Sequence, residues 1–155
     1  MSDRCRSQAG AMGLALEQAR RAADRREVPV GAVVVDPAEG RVLAAAGNRV
    51  EALRDPTAHA EILALRAAAS VLGSPRLVGF DLYVTLEPCP MCAAAISFAR
   101  IRRVYFGAYD PKGGGVVHGA RVYAHSTCHH RPEVYGGIRE DEAASLLRGF
   151  FGTRR

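Results

Sequence analysis

Apolar residues recur along this chain with two periods, and the switches between them outline most of its secondary structure. From Met12 to Arg26, the residues Met12, Leu14, Leu16, Ala19, Ala22 and Ala23 stand among charges at helical spacing, which predicts an amphipathic helix. Val30-Gly31-Ala32-Val33-Val34-Val35 is a short β-branched run closed by the turn formers Asp36-Pro37-Ala38-Glu39-Gly40. Arg41 to Gly47 returns as a second strand, so a hairpin is expected. Asp55-Pro56-Thr57 reads as a helix entry, with Asp55 or Thr57 as cap, into the Ala/Leu-rich run from Ala58 to Leu72. Leu82-Tyr83-Val84-Thr85-Leu86 predicts a strand that Glu87-Pro88 ends. A further helix opens at Cys89 and Cys92 and runs towards Ala99, Arg103 to Gly107 predicts the next strand, and Asp141 to Phe151 a last helix. Strand–helix–strand alternation calls for parallel pairing with helices on the sheet faces. Between Gly115 and Gly137 the periodicity is weak and no element is assigned.

Two pieces of this pattern carry chemistry. His59-Ala60-Glu61 stands at the entry of one predicted helix, and Pro88-Cys89-Pro90-Met91-Cys92 at the entry of the next. H-x-E followed by P-C-x-x-C is the signature of zinc-dependent nucleobase deaminases, so the chain is expected to be an enzyme. His59, Cys89 and Cys92 count to three metal ligands, which leave a fourth tetrahedral position for water, whereas four ligands close a structural site. Zinc lowers the pKa of such a water towards neutrality. Glu61 is the expected catalytic residue, a carboxylate that takes the proton from that water and passes protons to the ring nitrogen and the departing ammonia. Residues two apart do not share a helix side, so His59 and Glu61 can serve one site only off the helix end. Both helix N-termini would then point at the metal, where their dipoles favour thiolate and hydroxide.

Simpler readings compete. A C-x-x-C after a strand also suits a dithiol redox pair, although redox chemistry has no use for the His/Glu pair. A closed structural zinc would need a fourth ligand from Cys5, Cys128, His129 or His130, and Cys128-His129-His130 could be a second metal site.

The 155 residues are enough for one domain with a sizeable core, so 1–155 is expected to be a single domain. No apolar run is long enough to span a bilayer, and Met1 to Arg6 lacks the apolar stretch and cleavage pattern of a signal peptide. A cytoplasmic protein with no membrane partner is the expectation. Cys5 and Cys128 are then unpaired thiols. The formal net charge of +5 is carried almost wholly by arginine, Lys112 being the only lysine. It suits an acidic partner such as nucleic acid, and equally an ordinary solvated surface.

Outward from the two motifs, Arg26-Glu27-Val28-Pro29-Val30-Gly31-Ala32-Val33, Asn48-Arg49, Asp55 to Glu61, Tyr83 to Cys89 and Asp110-Pro111-Lys112-Gly113-Gly114 resemble the bacterial tRNA-specific adenosine deaminases. The closing Phe150-Phe151 with the basic Arg154-Arg155 is similar too. The likeness is detailed from Arg26 to Lys112 and weak beyond. It implies a three-layer α/β/α cytidine-deaminase-like fold with a five-stranded mixed sheet, a zinc cofactor, and a homodimer whose active sites are completed near the subunit interface. The implied reaction converts the wobble adenosine in the anticodon stem-loop of an arginine tRNA to inosine. By the same resemblance Asn48 would hydrogen-bond the flipped base and Val28 would line its pocket. The carbonyl or amide near Pro88 would orient water and base, and Asp110 and Lys112 would lie against the anticodon nucleotides. An amide suits a base edge and an apolar side chain its face.

The chain departs from the family between Gly115 and Gly137. A Ser-Leu helix and an Asn-His-Arg turn are usual there, and Val116-Val117-His118-Gly119-Ala120-Arg121 and Thr127-Cys128-His129-His130-Arg131-Pro132 stand in their place. This stretch is expected to shape the RNA-facing rim, which leaves substrate choice more open than chemistry. The nearest rival is a free-base or nucleoside deaminase acting on guanine, cytosine or cytidine with the same zinc kit. A non-enzymatic RNA-binding module with a structural zinc is the third reading.

Overall fold

The computed structural model describes residues 8–153. Met1 to Arg6, with Cys5, and the terminal Arg154-Arg155 lie outside the described residues.

The amphipathic segment is helix α1, Gln8–Asp24. The hairpin is β1, Gly31–Asp36, paired antiparallel with β2, Arg41–Gly47, with a register shift between Val34 and Val35. A short helix absent from the sequence reading, α2, Val50–Leu53, follows. Then come α3, Ala60–Leu72, β3, Asp81–Leu86, α4, Pro90–Phe98, and β4, Arg103–Ala108. In the unassigned stretch lie one 3-10 turn, Val122–Ala124, and β5, Glu133–Tyr135, before α5, Glu140–Thr153. The five-stranded mixed sheet runs in the order β2-β1-β3-β4-β5. The β3-β4 pair, linked through α4, is parallel as strand–helix–strand alternation requires; β4-β5 is also parallel, although no α-helix links those strands, and the two pairs involving β1 are antiparallel.

The central strands read as nearly continuous apolar runs because both faces are covered. Alternate residues point opposite ways. Ala32, Val34, Leu82, Val84, Val104 and Phe106 pack with Ala64, Ala68 and Ile96 of α3 and α4. Val33, Val35, Tyr83 and Tyr105 pack with Met12, Leu16 and Ala143 of α1 and α5. The result is a three-layer α/β/α molecule. Helix α1 lies so close to β1 that a Cβ at Gly31 would collide with the carbonyl of Ala15. β5 has only three residues and a half-exposed sequence. What seats it is a ladder of stacked rings across three strands, Tyr83 on Tyr105 at 4.5 Å between centroids and Tyr105 on Tyr135 at 5.2 Å. Among the described residues no helix is long and apolar enough to cross a membrane.

One local detail changes the reading of the first motif. Asp55 does not cap α3. Its Oδ1 accepts from Thr57 N at 2.8 Å and Thr57 Oγ1 at 2.7 Å, closing a turn before the helix. The N-cap of α3 is His59 itself, in extended conformation, and Glu61 is in the first turn.

Candidate active site

His59 ends the turn before α3, and Cys89 is the corresponding N-cap of α4, with Pro90 in the first helical position where its missing N–H costs nothing. Both caps are extended backbone, so their side chains stand off the helix ends. Cys92 lies in the first turn of α4. Parallel β3 and β4 flank the connection through α4, which places this end of α4 beyond the carboxyl end of β3. His59 Nδ1 is 3.6 Å from Cys89 Sγ and 3.5 Å from Cys92 Sγ. All three ligand atoms lie within 4.8 Å of one another. Tetrahedral bonds of ~2.3 Å to sulfur and ~2.05 Å to nitrogen put those two atoms about 3.6 Å apart, so the spacing fits zinc.

Among the described residues this is the one group able to hold a metal ion. Neither a fourth ligand nor a second metal site comes from the histidine-rich stretch. His130 Nε2 is 2.6 Å from the carbonyl of Ile101, and Cys128 Sγ donates to the carbonyl of His130 at 3.2 Å. The proposed fourth ligand Cys5 lies outside the described residues.

The three groups share their protons. The hydrogen bond from Cys92 is the main cause that brings the Cys89 thiol down to about 4, helped by His59 and opposed by burial. The same bond to Cys89, with burial, pushes Cys92 up. The hydrogen bond to Cys89 raises His59. A bound cation replaces this sharing, because ligation needs the deprotonated thiolate. Glu61 is buried, and burial is the main cause that pushes its carboxyl up to about 7.

A cavity of about 440 Å3 opens over this cluster. Of the residues expected to bind substrate, Val28, Asn48 and Asp110 line it with His59, Glu61 and Cys89. Pro88 and Lys112 do not. Asn48 follows β2, and its Oδ1 accepts from the backbone N–H of Ala60 at 2.7 Å. That bond satisfies one of the free N–H groups opening α3 and fixes the amide, leaving Nδ2 as the group to offer a ligand. The carbonyl of Pro88 accepts from Gly115 N at 2.8 Å and is occupied in joining two loops. Asp110 Oδ1 accepts from Gly113 N at 2.9 Å and holds the D-P-K-G-G turn in shape. Lys112 is exposed at its tip.

The stretch from Val116 to Arg131, expected to shape the RNA-facing rim, does not itself line this cavity. Its later part packs on α4. Tyr123 Oη donates to the carbonyl of Ala93 at 2.8 Å, and Ser97 Oγ to that of His130 at 2.6 Å. Residues that sequence reasoning did not assign to the site also line the cavity: Arg26, Glu27, Leu86 and Glu87. Phe150 and Phe151, noted only for their resemblance, line it from α5. Glu27 is buried and accepts from the N–H groups of Glu51 at 3.1 Å and Ala52 at 2.8 Å, which pins α2 beside Asn48. Its one sequence signal is an acid between a helix and a strand, too common to single out.

Residues 6–108 match the family described as the cytidine and deoxycytidylate deaminase zinc-binding region. A protein of Agrobacterium fabrum named tRNA-specific adenosine deaminase is 60% identical over 144 residues, 93% of either chain. A solved structure from work on A-to-I editing by tRNA:A34 deaminases at the wobble position of transfer RNA is 58% identical. It matches with a TM-score of 0.88 over 90% of this chain and 100% of that one. A structure of the guanine deaminase from Nitrosomonas europaea is more distant, 26% identical with a TM-score of 0.85 over 96% of this chain and 87% of that one. The spacing of His59, Cys89 and Cys92, the cavity above them and these likenesses agree: the chain belongs to the zinc-dependent cytidine and deoxycytidylate deaminase family, among the tRNA-specific adenosine deaminases.

Proposed function

We propose that this chain removes the exocyclic amine of adenosine at the wobble position of a tRNA anticodon, consuming water and releasing ammonia to leave inosine. The observation that carries the chemistry is the buried Glu61 carboxyl in the first turn of α3, lining the same cavity as His59 and Cys89. His59, Cys89 and Cys92 would hold zinc, which when bound acidifies a water in its open position. Glu61 takes a proton as the carbon–oxygen bond forms, gives one to the ring nitrogen, and then moves one to the amine as the carbon–nitrogen bond breaks. A group with a pKa near the working pH does both at least cost. The Nδ2 of Asn48 donates to an acceptor on the base edge, while Val28 and Leu86 pack on its faces. Phe150 and Phe151, in edge-to-face contact at 5.4 Å, offer rings on which an unstacked base can rest.

The polymer substrate is supported by the names of the relatives, by the net charge of +5, and by Arg26 at the cavity. The finer reading is the anticodon stem-loop of an arginine tRNA, acted on in the cytoplasm by a homodimer. Phe98, 72% exposed at the end of α4, stands between two shallow clefts, one lined by Leu65 and Ala95 and the other by Ala94 and Val122. An apolar ridge of this kind suits a second copy of the chain. Sedimentation of wild type and Phe98→Asp tests the dimer, the variant being expected as a monomer.

The function is tested with a substrate panel scored for ammonia and inosine: an arginine tRNA with adenosine at the wobble position, its stem-loop, free adenosine, guanine, cytosine and cytidine. The RNAs are expected to be strongly preferred, with binding that weakens as salt rises. Brisk turnover of guanine or cytosine with none on the stem-loop would overturn the RNA reading in favour of a free-base deaminase.

A further inference from the structure

Glu87 stands between β3 and Cys89, and its side chain is wholly buried although the chemistry makes no use of it. Its Oε1 accepts from Asp110 N at 3.0 Å and faces His118 Nδ1 at 2.8 Å. Its Oε2 accepts from the N–H groups of Val116 at 3.2 Å, Val117 at 2.9 Å and His118 at 3.0 Å. Successive N–H groups converging on one point form a concavity that binds anions. Here the chain supplies the anion itself. The turn bearing Glu87 is joined once more to the 110–118 loop, by Gly115 N to the carbonyl of Pro88 at 2.8 Å, and to the end of β4 by Glu87 N to the carbonyl of Ala108 at 2.8 Å. Gly114 presses so close to Glu87 Oε2 that it has no room for a Cβ.

This arrangement has a direction. Asp110 and Gly113, at one end of the loop, line the cavity together with Glu87. Beyond His118 the chain turns away and packs on α4 through Tyr123. The loop therefore changes course at the carboxylate. Without a charge at its centre, four backbone N–H groups would be left short of an acceptor, and the wall at Asp110 and Gly113 would lose the point from which it is hung.

We propose that Glu87 is a positioning residue for the nucleotides that flank the reacting base: by gathering the N–H groups of Asp110 and Val116 to His118, it sets the cavity wall at Asp110 and Gly113 against the turn that carries Cys89. This rests on the reading of the chain as an RNA deaminase. The carboxylate acts on the substrate through the loop, so its loss falls mainly on substrate affinity and only weakly on the proton transfers of Glu61.

The test uses full-length zinc-loaded protein, an anticodon stem-loop with wobble adenosine, and the variants Glu87→Gln and His118→Ala. Gln keeps the size of Glu but turns an NH2 towards N–H donors, whereas His118→Ala removes a single donor at the half-exposed edge and leaves the fold intact. For Glu87→Gln, KM is expected to rise about tenfold or more, the scale of hydrogen bonds to a charged group. The value of kcat is expected to stay within about threefold, a split that marks lost substrate binding. Zinc content stays at the wild-type level, and exchange of the Val117 and His118 amides quickens. His118→Ala shifts KM in the same sense by less. Unchanged KM in both variants, or in His118→Ala alone should Glu87→Gln not fold, overturns the proposal, as does an equal fall in kcat and kcat/KM. Wild-type protein that holds zinc yet leaves the stem-loop untouched overturns the RNA reading with it, so the two failures are told apart.

Discussion

Glu61 and Glu87 are both buried and line the same cavity, and their surroundings give the same side chain opposite properties. Glu61 sits at the start of α3 among groups that do little to repay its lost hydration, and burial pushes its carboxyl up to about 7. Burial opposes the charge of Glu87 as well. There the hydrogen bonds from Asp110 N, from the ring and amide of His118 and from Val117 N outweigh it and hold the carboxyl below the ordinary range. A carboxyl near neutrality can exchange protons with a substrate, while one held firmly anionic can organise backbone. The difference lies in the number of donors within reach, and neither residue type nor depth of burial predicts it.

The largest effect should come from the metal side of that contrast. Cys89→Ala and Cys92→Ala are expected to lose zinc and with it measurable turnover. Retention of the full zinc content in both variants, by metal analysis, would show that the ligands lie elsewhere. Glu61→Gln preserves the shape of the site and its ligands. It should fold and keep zinc while ammonia release falls by about 10²-fold or more, the scale of a lost general acid/base. Activity within a few-fold of wild type would break the distinction between the two glutamates, because it would leave Glu61 with no proton to move.

Asn48 allows a finer cut, since its Oδ1 holds Ala60 N while its Nδ2 is the atom proposed to serve the base. Asn48→Asp keeps an oxygen for Ala60 N but replaces the donor at Nδ2, so kcat/KM should fall about tenfold with little change in melting temperature. Asn48→Ala loses both and should also destabilise the fold by about 1 kcal/mol, the usual worth of a helix cap. Equal melting temperatures for the two variants would separate the Ala60 contact from stability.

The smallest effect is on the stability of zinc-stripped, reduced protein as a function of pH, and it has opposite signs at the two glutamates. The Glu61 carboxyl is raised above its ordinary 4.5, so its contribution is fully present below that value and is lost as pH rises through about 7. The Glu87 carboxyl is lowered, so its contribution is present above 4.5 and is lost as pH falls through its depressed value. Denaturant melts across pH should therefore show one arm that falls between about 4.5 and 7, which Glu61→Gln flattens, and an acid arm below 4.5 that Glu87→Gln flattens. A single variant that flattens both arms would mean that the two carboxyls titrate as one unit.

The sequence by itself marked the residues of the candidate site and most of the layers. His59, Glu61, Cys89 and Cys92 were legible because each motif is a few residues long and sits at a strand or helix boundary marked by Pro56, Pro88 and Pro90. The central strands were legible because burial on both faces demands unbroken apolar runs. Tertiary structure decided the rest. β5 carries no apolar run and exists because Tyr105 offers Tyr135 a ring to stack on. The 3-10 turn at Val122–Ala124 is seated by the hydroxyl of Tyr123 on α4. Pro88 and Lys112 belong to the right motifs yet lie off the cavity, while Arg26, Glu27 and Leu86, which stand in the resembling segments with no role of their own assigned, line it. Glu87 shows the reason most directly. Its position before Pro88 marks the end of a strand, but the donors that define its role come from residues 23 to 31 positions further along. Short-range spacing announces ligands and caps, whereas charge, burial and hydrogen-bond supply are set by whichever distant segment the fold brings alongside.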